Sequence, residues 1–376
     1  MRNIGGRVGI AVTITPFTLA DGSVYSMNDV NFLADQGCWA GKLCKVLVEQ
    51  YNSSQTPPAS PNQTSSPTQV LDPEIKYLYV LGTGGGGGGA MTTQDNGSSG
   101  GGGGASIHVL TGYTIPAPLQ GTPFQVKTGC GGAGAFNPSS SPGNNPGTDG
   151  GATEILLNGS PALVLGGGSA GVSAFTGTRS GGSVSTPNLT RLSPFPSNNE
   201  ATGGTGGGGA VRNGDSSDTG GNNSGRGTGG GGGGGANVEP RTGANGGDAS
   251  GSDNSVTYNI NQQGLRSYTF TNPFPIVVSG CAGTGSVTGN LAETNNGPAS
   301  YPNPNTGGAG KAGGGLKAVT AGGSPSDKFH GGGGGGAGGG MPSSGPYPQA
   351  NMKGAGGGGY IIVIGSSFEL VSGVNY

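Results

Sequence analysis

The chain has 376 residues, of which 90 are glycine and 26 proline, while only 9% are charged and the net charge is −2. Near neutrality argues against nucleic acid as the main partner, because phosphate binding needs concentrated Lys and Arg, and no apolar run approaches the roughly 18 residues of a membrane-spanning helix. This much Gly and Pro falls in the range of low-complexity sequence, but the low charge and the gathering of apolar residues into strand-length blocks favour a folded chain.

In chain order, Val8, Ile10, Val12 and Ile14 alternate with Gly9, Ala11 and Thr13. A period of two reads as a strand and not as the apolar region of a signal peptide. Ser26 with Asp29 resembles a capping box in which Asp replaces Glu, which predicts a short helix over Met27–Gln36. Lys45-Val46-Leu47-Val48 reads as a strand or a further helical turn. With ordinary glycine content and the only tryptophan, Trp39, residues 1–55 are expected to form a small N-terminal docking module. Residues 56–73, rich in Ser, Thr, Gln and Pro without apolar periodicity, read as a linker.

From residue 74 to 376 a single pattern recurs. Ile75–Leu81 enters the run Gly84–Gly89, and Ser106–Leu110 leaves the run Gly100–Gly104. Phe124–Lys127 leads to Gly129-Cys130-Gly131-Gly132. Glu154–Leu157 is followed by Asn158-Gly159, a strong hairpin signal, and Ala162–Leu165 then enters Gly166-Gly167-Gly168. After the runs Gly206–Gly209 and Gly229–Gly235, Val256–Ile260 alternates, and Tyr268–Phe270 and Pro275–Val278 continue the β character. After a last long run, Gly331–Gly336, Tyr360–Ile364 emerges from Gly356–Gly359.

Some eight to ten short β segments joined by long glycine-rich connections predict a mainly β protein: an antiparallel, jelly-roll-like sandwich. Connections of this length are uncommon unless ordered in their own right. Glycine segments without side chains can pack as polyglycine-II helices at very short separation, as glycine does on the collagen axis, adding Cα–H contacts to carbonyls. Prolines and aromatics would then be displayed at the turns.

The same residues weigh against chemistry. Gly41-Lys42 and Gly310-Lys311 lack the upstream glycine and following Ser or Thr of a phosphate loop. Asp149, Asp215, Asp218 and Asp248 lie beside glycines at spacings that fit neither an EF-hand nor a nonapeptide calcium repeat, and read as turn aspartates. Cys38, Cys44, Cys130 and Cys281 include no CxxC pair, and with only His108 and His330 no zinc site is expected. Cys38 and Cys44 are open to a local disulfide, with a reduced, buried pair the favoured alternative. No nucleophile has a histidine in a recognisable arrangement. No enzyme activity, cofactor or metal is expected.

The order of parts, from Tyr77-Leu-Tyr-Val-Leu through the glycine runs to Gly356-Gly-Gly-Gly-Tyr360-Ile-Ile-Val-Ile364, resembles the glycine-rich domains of phage tail-fibre and receptor-binding proteins. It is also similar to the extracellular glycine-rich domain of the anaplastic lymphoma kinase receptor family, in which polyglycine helices interleave with a tumour-necrosis-factor-like β-sandwich. T-even tail-fibre adhesins are looser relatives in style. The resemblance covers roughly residues 74–376. It implies a protein of the virion surface, docked to other virion proteins by residues 1–55 and binding a host glycan or outer-membrane protein through loop tips. It also implies a homo-oligomer, with a trimer the expectation from the fibre and cytokine-like resemblance, and no membrane insertion. Phe195, Tyr301, Phe329 and Tyr347 are the receptor-binding candidates, each with packing against proline or the sandwich as its ordinary alternative. A purely structural virion component without a receptor is the alternative function.

Overall fold

The computed structural model describes residues 44–52, 63–89, 91–92, 107–134, 144–145, 147–171, 180–193, 200–201, 258–262, 266–270, 316–317, 329–330 and 356–370. These residues are mainly β, in antiparallel sheets, with a single short 3-10 turn at Ala117–Leu119. The strands in chain order are β1 (Cys44–Tyr51), β2 (Gln63–Ser65), β3 (Gln69–Val70), β4 (Tyr77–Thr83), β5 (Met91–Thr92) and β6 (Ile107–Thr114). There follow β7 (Pro123–Gly129), β8 (Asn144–Asn145), β9 (Thr153–Leu157), β10 (Ser160–Leu165), β11 (Val184–Ser185) and β12 (Thr190–Arg191). The last are β13 (Glu200–Ala201), β14 (Tyr258–Gln262), β15 (Arg266–Phe270), β16 (Leu316–Lys317), β17 (Phe329–His330) and β18 (Tyr360–Ser366).

One sheet has the order β1-β18-β4-β6-β12, with β13 also on β6; the other has the order β11-β10-β9-β7-β2, with β3 also on β7. The pairs β5/β8, β14/β15 and β16/β17 stand as two-stranded ladders. A single buried cluster draws on both large sheets: Leu78, Val80, Ile361 and Val363 from the first, Phe124, Val126, Ile155 and Leu163 from the second. In β4 and β18 the alternate residues Tyr79, Leu81, Tyr360, Ile362 and Ile364 are also buried, so both faces of these strands are covered. That is why their sequences are continuous apolar runs and not alternating ones. Tyr79 is anchored there by its hydroxyl, which accepts the Leu370 N–H at 2.6 Å.

Local chemistry sets the turns and irregularities. Asn158 (φ 50) and Gly159 (φ 75) both lie in the left-handed region and close the β9–β10 hairpin, as Asn-Gly predicts. Pro123 stands at the first position of β7, and Pro161 beside the register shift in β10; these are positions where a missing N–H is tolerated.

The pairing runs across the divisions expected at residues 55 and 73. Lys45–Val48 belongs to β1, which pairs with β18, and the residues read as linker supply β2 and β3, which pair with β7. The physical reason is edge coverage. Without β1 the second edge of the apolar strand β18 would have no partner, and Gln63 and Gln69, polar and without alternation, serve through backbone and amide hydrogen bonds. Gln63 Nε2 donates to the Ala152 carbonyl (2.9 Å) and Gln69 Nε2 to that of Leu47 (3.4 Å). The strand read at Val8–Ile14, the helix at Met27–Gln36 and the strand at Pro275–Val278 lie outside the described residues, as do the runs Gly100–Gly104, Gly206–Gly209, Gly229–Gly235 and Gly331–Gly336.

Candidate functional site

Each glycine segment among the described residues begins or ends at the same end of the two large sheets. β4, β7 and β10 run out into residues 84–89, 130–134 and 166–171; residues 147–152, 180–183 and 356–359 run into β9, β11 and β18. The registers set these ends side by side: Thr83 pairs with Tyr360, Lys127 with Glu154, and Leu165 with both Thr153 and Val184.

Polar side chains at the strand ends tie the sheets together. Thr153 Oγ1 donates to the Thr83 carbonyl (3.0 Å) of one sheet and accepts the Gly129 N–H (3.1 Å) of the other. Asn52 donates its backbone N–H to the Gly359 carbonyl (3.0 Å) and Nδ2 to the Thr128 carbonyl (3.0 Å). All of these side chains are buried, where an unpaired polar group is costly. Sequence reading missed them. The signal was there: Thr83, Thr128 and Thr153 each sit within two residues of a glycine, at the change from apolar strand to glycine segment.

Beyond this clasp the backbones bond directly to one another. Gly85 and Gly88 donate to Gly151 and Thr148 (2.8 and 2.9 Å), whereas Gly86 between them donates to Gly357 (2.8 Å). Gly147 and Gly150 donate to Gly171 and Gly168, but Thr148 and Gly151 donate to Ala133 and Cys130. Gly168 and Gly171 donate in turn to Gly85 and Gly88, Gly166 and Ser169 to Ser183 and Ser180, and Gly356 and Gly359 to Gly132 and Gly129. Donors aimed at a given neighbour recur every third residue, the period of an extended three-residue helix and not of a strand. A Cβ at Gly85 or Gly88 would meet the carbonyl oxygen of Cys130 or Ala133, and one at Gly87 that of Ser169, closer than the 3.0 Å that real Cβ atoms respect. Glycine is required here by proximity.

Side chains at this layer support it. Thr148 Oγ1 accepts the Ala133 N–H (2.7 Å), and Asp149, exposed, accepts the Ala170 N–H (2.6 Å). Asp149 therefore bonds to the neighbouring glycine segment. Among the described residues no three His, Cys, Asp or Glu side chains converge as metal ligands. Cys44 and Cys130 are free thiols; burial pushes both up, Cys44 to about 12 despite a hydrogen bond to Ser366.

Of the aromatic candidates, Phe195, Tyr301 and Tyr347 lie outside the described residues. Phe329 is in β17, opposite Lys317, with only its backbone described. None of the four is placed beside another among the described residues. No helix among them is long and apolar enough to cross a membrane. No protein-family model matches the sequence, and no curated protein matches it.

Proposed function

We propose that the chain is a virion-surface protein, of a tail fibre or spike, that binds the host cell surface through loop tips of its glycine-rich domain. In this reading the two large sheets form a jelly-roll-like sandwich and the glycine segments pack as polyglycine-II helices standing on one end of it. Residues 1–55 carry the contacts that dock the protein to other virion components, and the assembly is a homo-oligomer, as the resemblance to phage fibre domains implies. The observation that carries the reading is the three-residue alternation of backbone donors between neighbouring segments. A segment bonded on several sides acts as a stiff spacer, and the connections between segments then begin and end at its far end, away from the sheets. The β5/β8 ladder supports this placement: Met91 pairs with Asn145 and Thr92 with Asn144, in the same antiparallel register that brings Gly88 to Thr148. A stiff, sparsely charged support with connections at its tip suits recognition of a surface and requires no reaction.

The test is competition for adsorption. Purified protein, pre-incubated with the cells that the virion infects, is expected to block adsorption, and Phe195→Ala, Tyr301→Ala, Phe329→Ala and Tyr347→Ala to weaken the block. Undiminished adsorption in the presence of saturating folded protein removes receptor binding and leaves the structural role. Full blocking by all four variants removes those aromatics as the contact residues.

A further inference from the structure

Gln50 and Thr128 enter the space between the two large sheets from opposite sides. Gln50, in β1, stands directly opposite Ile361 of β18, a member of the shared apolar cluster, so its side chain lies on the inner face of the first sheet. Thr128 follows Phe124 and Val126 of that cluster at two-residue spacing in β7, and so lies on the inner face of the second. Two hydrogen bonds bring them together. Gln50 Nε2 donates to the Thr64 carbonyl (3.0 Å), and Thr64 is the residue of β2 paired with Thr128. Two residues on from Gln50, Asn52 Nδ2 donates to the Thr128 carbonyl (3.0 Å). Thr128 is fully buried, and its Oγ1, like Gln50 Oε1, is a buried oxygen with no hydrogen-bond partner among the described residues. Turning the Gln50 amide over gives no relief, because it would set Oε1 against the Thr64 carbonyl oxygen, acceptor against acceptor.

We propose that this spot is a binding site for one internal water, which bridges Gln50 Oε1 and Thr128 Oγ1 and so helps to fasten β1 to β7 beside Asn52. The chemistry of the two oxygens selects the ligand. An amide oxygen only accepts, so the ligand must donate to Gln50; a hydroxyl donates or accepts, so Thr128 takes either role. Two neutral oxygens are too few to hold a hard cation. Water meets both demands, and buried polar groups left over by the protein's own bonding are where internal waters settle.

The test uses the full chain and the sign of one substitution. Thr128→Val keeps shape and removes the hydroxyl. If a water is bridged there, Tm is expected to fall by a few degrees, because the water and Gln50 lose their link to the second sheet. If the hydroxyl is simply unpaired, removing it leaves Tm unchanged or raises it, and the proposal is overturned. In a Gln50→Met background, where the acceptor is already gone, Thr128→Val is expected to cost much less; an equal fall in both backgrounds overturns the bridge as well. A crystal structure of the unaltered chain, at a resolution that shows ordered solvent, reads the site without any variant. A water within about 2.7–3.2 Å of both oxygens is expected. Direct contact between the two side chains, or closed packing without solvent between them, overturns it.

Discussion

At the scale of residues, glycine serves two separate ends in this chain, and substitution tells them apart. Gly159 needs its positive φ but has nothing within 4 Å of an added Cβ, so Gly159→Ala is expected to cost only the left-handed penalty of about 1–2 kcal/mol. Gly85 has no positive φ, yet its Cβ would press on the Cys130 carbonyl inside bonded backbone. Gly85→Ala is expected to cost about 3 kcal/mol or more, the upper end of overpacking, because no flexible side chain is there to yield. Chemical denaturation of both variants checks the order. Thr153→Val keeps shape but removes the hydrogen bonds to the Thr83 carbonyl and from the Gly129 N–H, a loss of about 1–3 kcal/mol that Thr153→Ser restores in large part. For Cys44 the folded protein holds the proton more tightly than the unfolded chain, so its stabilising contribution is complete below the ordinary value of 9.0 and is lost as pH rises toward about 12. Below pH 9 the thiol is expected to resist alkylation until the protein unfolds, as mass spectrometry of native and denatured samples would register.

At the scale of elements, β18 is the strand on which most depends. It lies between β1 and β4, its residues are buried, and its lead-in residues 356–359 bond to residues 129–132. Ile361→Ala, deleting a fully buried side chain of the shared cluster, is expected to cost about 2–5 kcal/mol. Proline at Ile362, in the middle of the ladder, is expected to prevent folding altogether, read as loss of the native circular dichroism spectrum. How much of each element was legible follows from its hydrophobic content. Tyr77–Leu81, Glu154–Leu157, Ala162–Leu165 and Tyr360–Ile364 announce themselves as apolar runs, and Asn158-Gly159 as their turn. Gln63–Ser65, Gln69–Val70 and Thr190–Arg191 carry no such mark, because two- and three-residue edge strands are held by the neighbour's backbone and bury little of their own. Gln63–Ser65 and Gln69–Val70 therefore read as part of a linker, although both pair with β7.

At the scale of the whole molecule, stability rests on two unlike materials. Between the sheets it comes from buried apolar side chains, and in the glycine layer from backbone hydrogen bonds with no side chains to bury. Hydrogen exchange separates them. If the layer is as cooperative as its bonding, the amides of Gly85, Gly132, Gly151 and Gly168 are expected to be protected to the level of those in β4 and β18. Exchange at tether rates would reduce the proposed spacer to loose loops, and the presentation of its tips to a host surface would lose its physical basis.

Composition and local pattern alone determined the mainly β character of the described residues and where their apolar strands lie. Those properties are written in neighbouring residues: side-chain size, alternation and turn chemistry. Only the tertiary structure decided which strands pair, that Cys44–Tyr51 belongs beside Tyr360–Ser366, and that Thr153 and Asn52 fasten the two sheets. It also decided which glycine faces which carbonyl. A glycine carries no side chain to record its neighbour, so its partners are set by where the strands on either side of it deliver the backbone.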